Sequence, residues 1–456
     1  MLQLNFDLLK FIAGPDNVST GVFDLESHSR DESFHQPHLP DVVVWPQSSV
    51  QVSEITALAN EKKIPLIPWG AGTSVEGNPI PVNGGIVLDM QHMNKVLEIR
   101  HKDFQADLEP GITHRELNKK LRGFGLFFPP DPGAPATIGG MIANNAKGIR
   151  TVKYGSTKDY ILKLEVVLPD GEIVKLGTNT TKSSSGYNLC QLFCGSEGTL
   201  GVITEITLRL VGLPPEFMAA VATFDSVERA TNSVFQIMIS GIEPAALELL
   251  DSAVLRAINR DKRVNLKEKP TLLMEFHGAS RLVLEQDLKL VAEICQDNSC
   301  LGFDSGIGKA RREELWGARY NAFDSIKRDN LGASVLLVDT AVPLSKLGEM
   351  VQFSQEALRR TGVKGYIFGH AGDGNIHLNL IGNPDDKLQW GLVQRVNEEI
   401  VNHALDLGGT ATGEHGVGVG KGKFMLKEHG SSLRLMKKVK QLLDPQGIMN
   451  PGKIFE

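Results

Sequence analysis

Three loops dense in glycine and small residues constrain this chain more than any other feature. They are PWGAGTSVEGNPIPVNGGIVLD (68–89), PPDPGAPATIGGMIANNAKG (129–148) and GSEGTLGVITE (195–205). In the first, Gly70, Ala71, Gly72, Thr73 and Ser74 are small enough for consecutive backbone N–H groups to close on a phosphate, where a larger side chain would hold the backbone away. Taken alone, such a loop also reads as a strand-connecting turn. The second loop is too long for a mere turn, and the third sets Gly198 and Gly201 just before a β-rich run. Neither GxGxxG nor GxxxxGK(S/T) occurs, so a Rossmann dinucleotide site and a P-loop both lack their fingerprint.

The rest of the chain supplies the frame. At 456 residues it has room for two to three domains. Lys+Arg 48 against Asp+Glu 54 leaves a net charge of −6 with no dense basic run, which argues against a nucleic-acid partner. No apolar stretch approaches the roughly 18 to 20 residues that span a bilayer, and the N-terminal run reads as a first helix without targeting features. Cytoplasmic residence is the expectation, with room for peripheral contact at the inner face of a membrane. The four cysteines contain no CxxC pair and read as buried, reduced thiols, against an iron–sulfur cluster or zinc ribbon.

From Val42 to Val211 β-rich runs (VVVW, IVLDM, LEVVLP, GVITEITLRL) alternate with helical patterns (VSEITALANEKK, THRELNKKLRGFG), as in an α+β or α/β domain. GLPPEF at 212–217 reads as a boundary. Beyond it, amphipathic helices near 225–240, 281–297 and 345–361 interleave with TLLMEFHG, SVLLVDTAVP and YIFGH, which predicts an antiparallel sheet with covering helices. Expected spans are 1–213, 214–420, and a terminal segment 421–456 whose helix stops at Asp444-Pro445.

The second region also carries polar chemistry. In YIFGHAGDGNIHLNL a hairpin through AGDGN brings His370 and His377 together, and the period of two puts His377 and Asn379 on one face. GGTATGEHGVG adds Glu414 beside His415. Two histidines and a carboxylate make a divalent-metal set of zinc or manganese type, although each histidine alone also reads as a satisfied structural residue. Asp373, a rival acid, reads as a turn former. Arg319 in WGARYNAF offers a planar fork for a substrate carboxylate, or a helix-surface ion pair.

Taken in order, PWGAGTS, DPGAPATIGGMIANNAKG, YGSTKDYILKLEVVLPDG, GSEGTLGVITE, FGHAGDGNIHLN, ATGEHGVG and DPQGIMNPGKIF resemble the FAD-linked oxidase family of vanillyl-alcohol oxidase and p-cresol methylhydroxylase type, from about residue 37 to the C-terminus. Through WGARYNAF and VDTAVP the likeness is closest to the D-lactate dehydrogenase (acceptor) and glycolate oxidase FAD-subunit branches. The resemblance implies an α+β fold, with a two-lobed FAD-binding domain of p-cresol methylhydroxylase type and an antiparallel-sheet substrate (cap) domain covered by helices. It implies that Gly70, Ala71, Gly72, Thr73 and Ser74 hold the FAD pyrophosphate. It further implies that Pro130, Asp131, Gly133, Thr137, Gly139, Gly140, Ala143, Asn144 and Gly148 line the isoalloxazine and ribityl chain. Glu197, Gly198, Gly201 and Ile203 would sit nearer the adenine, and Asn450 would return to the flavin. Covalent family members use His, Cys or Tyr; with no histidine in either main loop, non-covalent FAD is expected.

The same resemblance implies His370, His377 and Glu414 as metal ligands, His415 as the base, and Arg319 with Asn379 as substrate contacts. In 2-hydroxyglutarate-type relatives a lysine precedes the aspartate of the VDTAVP strand. Here Leu336, Leu337 and Val338 precede Asp339, which favours a small monocarboxylate. The expected reaction is oxidation of D-lactate to pyruvate, with glycolate to glyoxylate as the alternative, and electrons passing to a quinone, a cytochrome or an iron–sulfur partner. Two rivals stand beside it: a non-haem iron oxygenase on the same triad, which leaves the glycine loops unexplained, and an FAD-binding electron-transfer subunit without a substrate site.

Overall fold

A computed structural model of the chain describes residues 5–261, 265–306 and 309–455. It divides into two compact units. The first comprises the chain up to Lys147, Ser156–Leu213, and the chain from Glu414 on; the second comprises Gly148–Gly155 and Pro214–Gly413.

In the first unit, strands Val42–Val44, Ile86–Asp89 and Leu66–Trp69 run parallel, with Val18–Ser19 antiparallel on the outer edge. The crossover helix Ser49–Lys62 begins where the Ser48 hydroxyl accepts the Gln51 N–H and ends at Lys63 in the left-handed region. It buries Val52, Ile55, Thr56 and Ala59, a one-face stripe at helical spacing, against Val42, Leu66 and Leu88. The open edge is finished by the C-terminal segment: Leu66 N–H donates to Ile448 O at 2.8 Å and Asn450 N–H to Leu66 O at 2.9 Å. A five-stranded antiparallel sheet, ordered Val96–Arg100, Gln105–Leu108, Val202–Arg209, Ile161–Val167, Ile173–Gly177, completes this unit's main framework.

The second unit is built on a seven-stranded antiparallel sheet. Its order is Gly302–Ser305, Glu216–Thr223, Thr271–Gly278, Ala246–Leu250, Gly365–His370, Asn375–Gly382, Ser334–Ala341. The expected helices form at Val227–Ile239, Arg281–Asp297 and Leu347–Thr361. Residues directly opposite in antiparallel pairs share a face, so the register aligns Glu248 with His370, Phe368 with His377, Tyr366 with Asn379, and Asp339 with His377. On that face, Tyr366 and Phe368 join a core with Leu255, Leu315, Trp316 and Ile326 from three further helices. The polar residues beside them are also buried.

Two expectations need correction. The chain returns to the first unit at Glu414 and not at 421, because the Val417 and Gly418 N–H groups donate to Glu197 and the Val419 N–H to Glu76 O, whereas Thr410 and Thr412 bond Ala341 and Asp339 of the second unit. Gly148–Gly155 leaves the first unit because Lys153 Nζ donates to His277 O and the Tyr154 hydroxyl meets His277 Nδ1 at 2.7 Å. The cysteines are all free, but only Cys190 and Cys295 are buried; Cys194 and Cys300 are half-buried.

Candidate active site

The first unit carries a cleft walled by the 70–75 loop, Thr137, Gly140, Ala143 and Asn144, Glu197 and Gly198, Glu414, His415 and Asn450. A second cavity shares Gly70, Thr137, Gly140, Ala143 and Gly198 and adds Gly139, Gly201 and Ile203. Most residues singled out for FAD therefore do line connected space. Glu197 stands with Asn450 and His415, apart from Gly201 and Ile203, with which it had been grouped.

Four expected cofactor contacts lie on neither wall. Asp131 instead sits 3.6 Å from His114 and accepts the Gly133 N–H, shaping its own turn, and Pro130 is buried behind it. Gly148 N–H donates to Thr151 Oγ1 at the start of a short helix of the second unit.

The walls fit FAD on three counts. None of the backbone N–H groups of Ala71 to Val75 donates to a protein acceptor among the described residues, leaving a run of donors facing the cleft. A Cβ on Gly70 would run into Thr137 Oγ1, so the two loops approach as closely as they do only with glycine there. Asn450 is 2% exposed and donates to Asn78 O and Glu197 O, while its Oδ1 is buried without a partner on the cleft wall.

Sequence reasoning missed Asp31 beneath this loop, and placed Glu197 near the cofactor without its supporting role. Asp31 accepts the Ser74 hydroxyl at 2.8 Å and the Gly77 N–H at 2.7 Å. The Glu197 carboxylate takes the Val417 and Gly418 N–H groups and the Asn78 amide, tying three loops together; burial, only partly offset by those bonds, pushes its pKa up.

In the second unit the hairpin does bring His370 and His377 together, with ring centroids 5.1 Å apart. His377 Nδ1 lies 3.6 Å from Asp339 Oδ1. Asn379 is fully buried, and neither of its amide atoms has a protein hydrogen-bond partner among the described residues. A buried amide left so costs about 1–3 kcal/mol. Asp373 closes a short 3-10 turn between the strands.

Arg319 is not on the surface. It is 7% exposed, lies over the Phe368 ring, and gives Nε and Nη2 to Glu248 Oε2 at 2.6 and 2.5 Å. The other carboxylate oxygen of Glu248 faces His370 Nδ1 at 2.6 Å. Burial raises the Glu248 carboxyl, and the Arg319 guanidinium with the His370 ring beside it more than reverses this, holding it below its ordinary value. Glu248 was also missed; its one signal is a lone acid in the apolar run AALELL.

Two family models cover most of the chain: an FAD binding domain over residues 40–177 and the C-terminal domain of FAD linked oxidases over 213–454. The chain belongs to the FAD-linked oxidase family. It is similar to the mitochondrial D-lactate dehydrogenase [cytochrome] of Arabidopsis thaliana, at 41% identity over 96% of this chain and 78% of that protein. It is also similar to glycolate oxidase subunit GlcD of Bacillus subtilis, at 35% over 97% and 95%. The solved structure of p-cresol methylhydroxylase matches with a TM-score of 0.78, 15% identity and 99% and 96% coverage, which establishes the shared fold. Membership also accounts for the glycine loops that an iron oxygenase leaves unexplained.

Proposed function

We propose that this family member is a D-lactate dehydrogenase that passes electrons to an acceptor other than a nicotinamide. The observation that carries the reading is the unpartnered, buried Asn379 amide on the same sheet face as His370 and His377, in a chain 41% identical to a D-lactate dehydrogenase. When bound, FAD supplies the two-electron acceptor and a divalent zinc or manganese ion the Lewis acid.

The chain's own residues then have these tasks. Ala71 to Ser74 offer N–H groups to the pyrophosphate, and Asn450 offers Oδ1 to the flavin. Among the described residues neither wall carries Cys or Tyr, and the histidine there, His415, is assigned to the base, so the reading keeps FAD non-covalent. With Nε and Nη2 of Arg319 committed to Glu248, Nη1 is the nitrogen that meets the substrate carboxylate. Asn379 donates to the same carboxylate or to the hydroxyl. His370, His377 and Glu414 would hold the metal, and the donor set suits zinc or manganese. Glu414 and His415 come from the first unit and the two other histidines from the second, so assembly of the set is part of the proposal. His415 accepts the hydroxyl proton while the α-hydrogen leaves as hydride, so D-lactate loses two protons and two electrons and becomes pyruvate.

Leu337, opposite Asn379 in the next strand, offers no cation for a second carboxylate, which favours a monocarboxylate. Glycolate, supported by the likeness to GlcD, is the second reading, since one methyl is worth only about 1–3 kcal/mol. The relative's name favours a cytochrome as acceptor. No helix among the described residues is long and apolar enough to cross a membrane. Cytoplasmic residence is tested by locating a tagged chain, because the Arabidopsis relative is mitochondrial.

The deciding experiment is anaerobic titration with D-lactate, L-lactate and glycolate, followed through the flavin absorbance before and after chelation. Bleaching by D-lactate that chelation abolishes is the expected result. Faster bleaching by glycolate moves the assignment to the second reading, and a flavin that no 2-hydroxy acid bleaches overturns both.

A further inference from the structure

We infer that Glu248 is a positioning residue that couples the substrate-carboxylate anchor to the metal ligand, orienting Arg319 with one carboxylate oxygen and setting the tautomer of His370 with the other. The inference rests on the functional reading above. It starts from the sheet: Glu248 and His370 are directly opposed in neighbouring antiparallel strands, so their side chains leave the same face side by side. Arg319 descends onto that face from the helix Lys309–Tyr320. The three residues are all at most 7% exposed, and Glu248 is fully buried.

The chemistry of the contacts is one-sided. An ionised carboxylate only accepts, and both neighbours approach as donors: Arg319 through Nε and Nη2 to Oε2, His370 through Nδ1 to Oε1. A proton held on Nδ1 leaves the neutral ring's Nε2 with its lone pair, the form a metal needs. The same carboxylate neutralises the guanidinium and fixes the plane of its fork, and with it the direction of Nη1.

Substitution by glutamine exposes the coupling. Its amide has one acceptor and one donor end, while two donors face it, so either one neighbour is displaced or His370 moves its proton to Nε2 and accepts through Nδ1, losing the lone pair a metal needs. Aspartate keeps two acceptors but is one methylene shorter and cannot keep both partners at their present distances.

The test uses the FAD-loaded full chain. Zn²⁺ affinity is measured by competition with a chromophoric chelator, and KM and kcat are measured with D-lactate. In E248Q we expect about 10- to 100-fold weaker Zn²⁺ binding and a KM for D-lactate raised by about tenfold or more, with the flavin stoichiometry of the wild type. E248D is expected to fall between E248Q and wild type in both readings. An E248Q protein with wild-type flavin content and either reading unchanged overturns the coupling while leaving the functional reading intact. A wild-type chain that binds no Zn²⁺ or Mn²⁺ overturns the metal-assisted reading, and the inference with it. Should both variants fail to fold, the ¹⁵N spectrum of His-labelled wild-type protein decides: a His370 protonated on Nδ1 supports the inference, and one protonated on Nε2 alone sinks it.

Discussion

In the first unit a long stretch of the cleft wall is backbone: the 70–75 loop, whose N–H groups from Ala71 to Val75 have no protein acceptor among the described residues, packs close because Gly70 has no side chain. In the second the buried polar groups are side chains standing on strands of one sheet, Glu248, His370, His377 and Asn379, each aimed by register. On the proposed function, the difference follows from what each ligand asks. A phosphate-rich cofactor is held by many weak donors that any small residue can supply. A small hydroxy acid offers few atoms and has to be met by particular functional groups at fixed positions.

His415 is where the comparison should break most visibly, since it is a side chain on the backbone-lined cleft. His415→Ala is expected to lower kcat by about 10²- to 10⁴-fold, the usual range for a positioned base, while the flavin spectrum is unchanged. Near-normal turnover in stopped-flow reduction would remove His415 as the base. Next comes Gly70→Val, which places methyl groups against Thr137. Weaker flavin binding of up to roughly 100-fold is expected, given an overpacking cost of about 1–3 kcal/mol, and retained FAD after gel filtration would contradict the close-approach argument.

Asn379→Leu sharpens the contrast from the other side. It replaces an amide without partners by an apolar group of similar size, so thermal stability should rise by about 1–3 kcal/mol as kcat/KM falls by about 10- to 100-fold. Loss of stability in a melting curve would show that the amide is satisfied after all.

The smallest expected effect is on pH. Asp251 caps the helix Ser252–Arg260 just beyond the Glu248 strand, and burial, opposed by its bonds to backbone N–H groups, pushes its carboxyl from 3.8 up to about 6. A raised carboxyl favours the native state while protonated, so its contribution is complete below pH 3.8 and lost as the pH climbs through about 6. Asp251→Asn keeps the cap without that charge. It should melt higher than wild type at pH 7 by at most about 3 kcal/mol, the gap closing toward pH 4, with flavin content unaffected.

These same particulars decide what could be seen in the sequence. The glycine loops were legible because close backbone approach leaves few residue types to choose from, and helices such as Val227–Ile239 because one face must be apolar. The pairing of His370 with His377 was legible because a tight turn enforces it. Glu248 was not, since its partners come from distant strands and helices. The GEHGVG loop misled the boundary for a related reason: its composition does not say which unit will satisfy its N–H groups, and Glu197, far away in sequence, does. Pro130, Asp131, Gly133 and Gly148 share the look of the cleft-lining residues but lie off both walls, with Asp131 beside His114, the Gly133 carbonyl accepting from Arg115, and Gly148 bonded to Thr151.

The way Leu66 is bonded to Ile448 and Asn450 has a consequence for biosynthesis. A ribosome delivers most of the second unit, Pro214–Gly413, before those partners exist, and domains generally fold as units during synthesis. The sheet bearing His370 can therefore form while the parallel strands that precede it still wait with an open edge. Closing that edge, and bringing Asn450 to the cleft wall, is left to residues synthesised after the second unit.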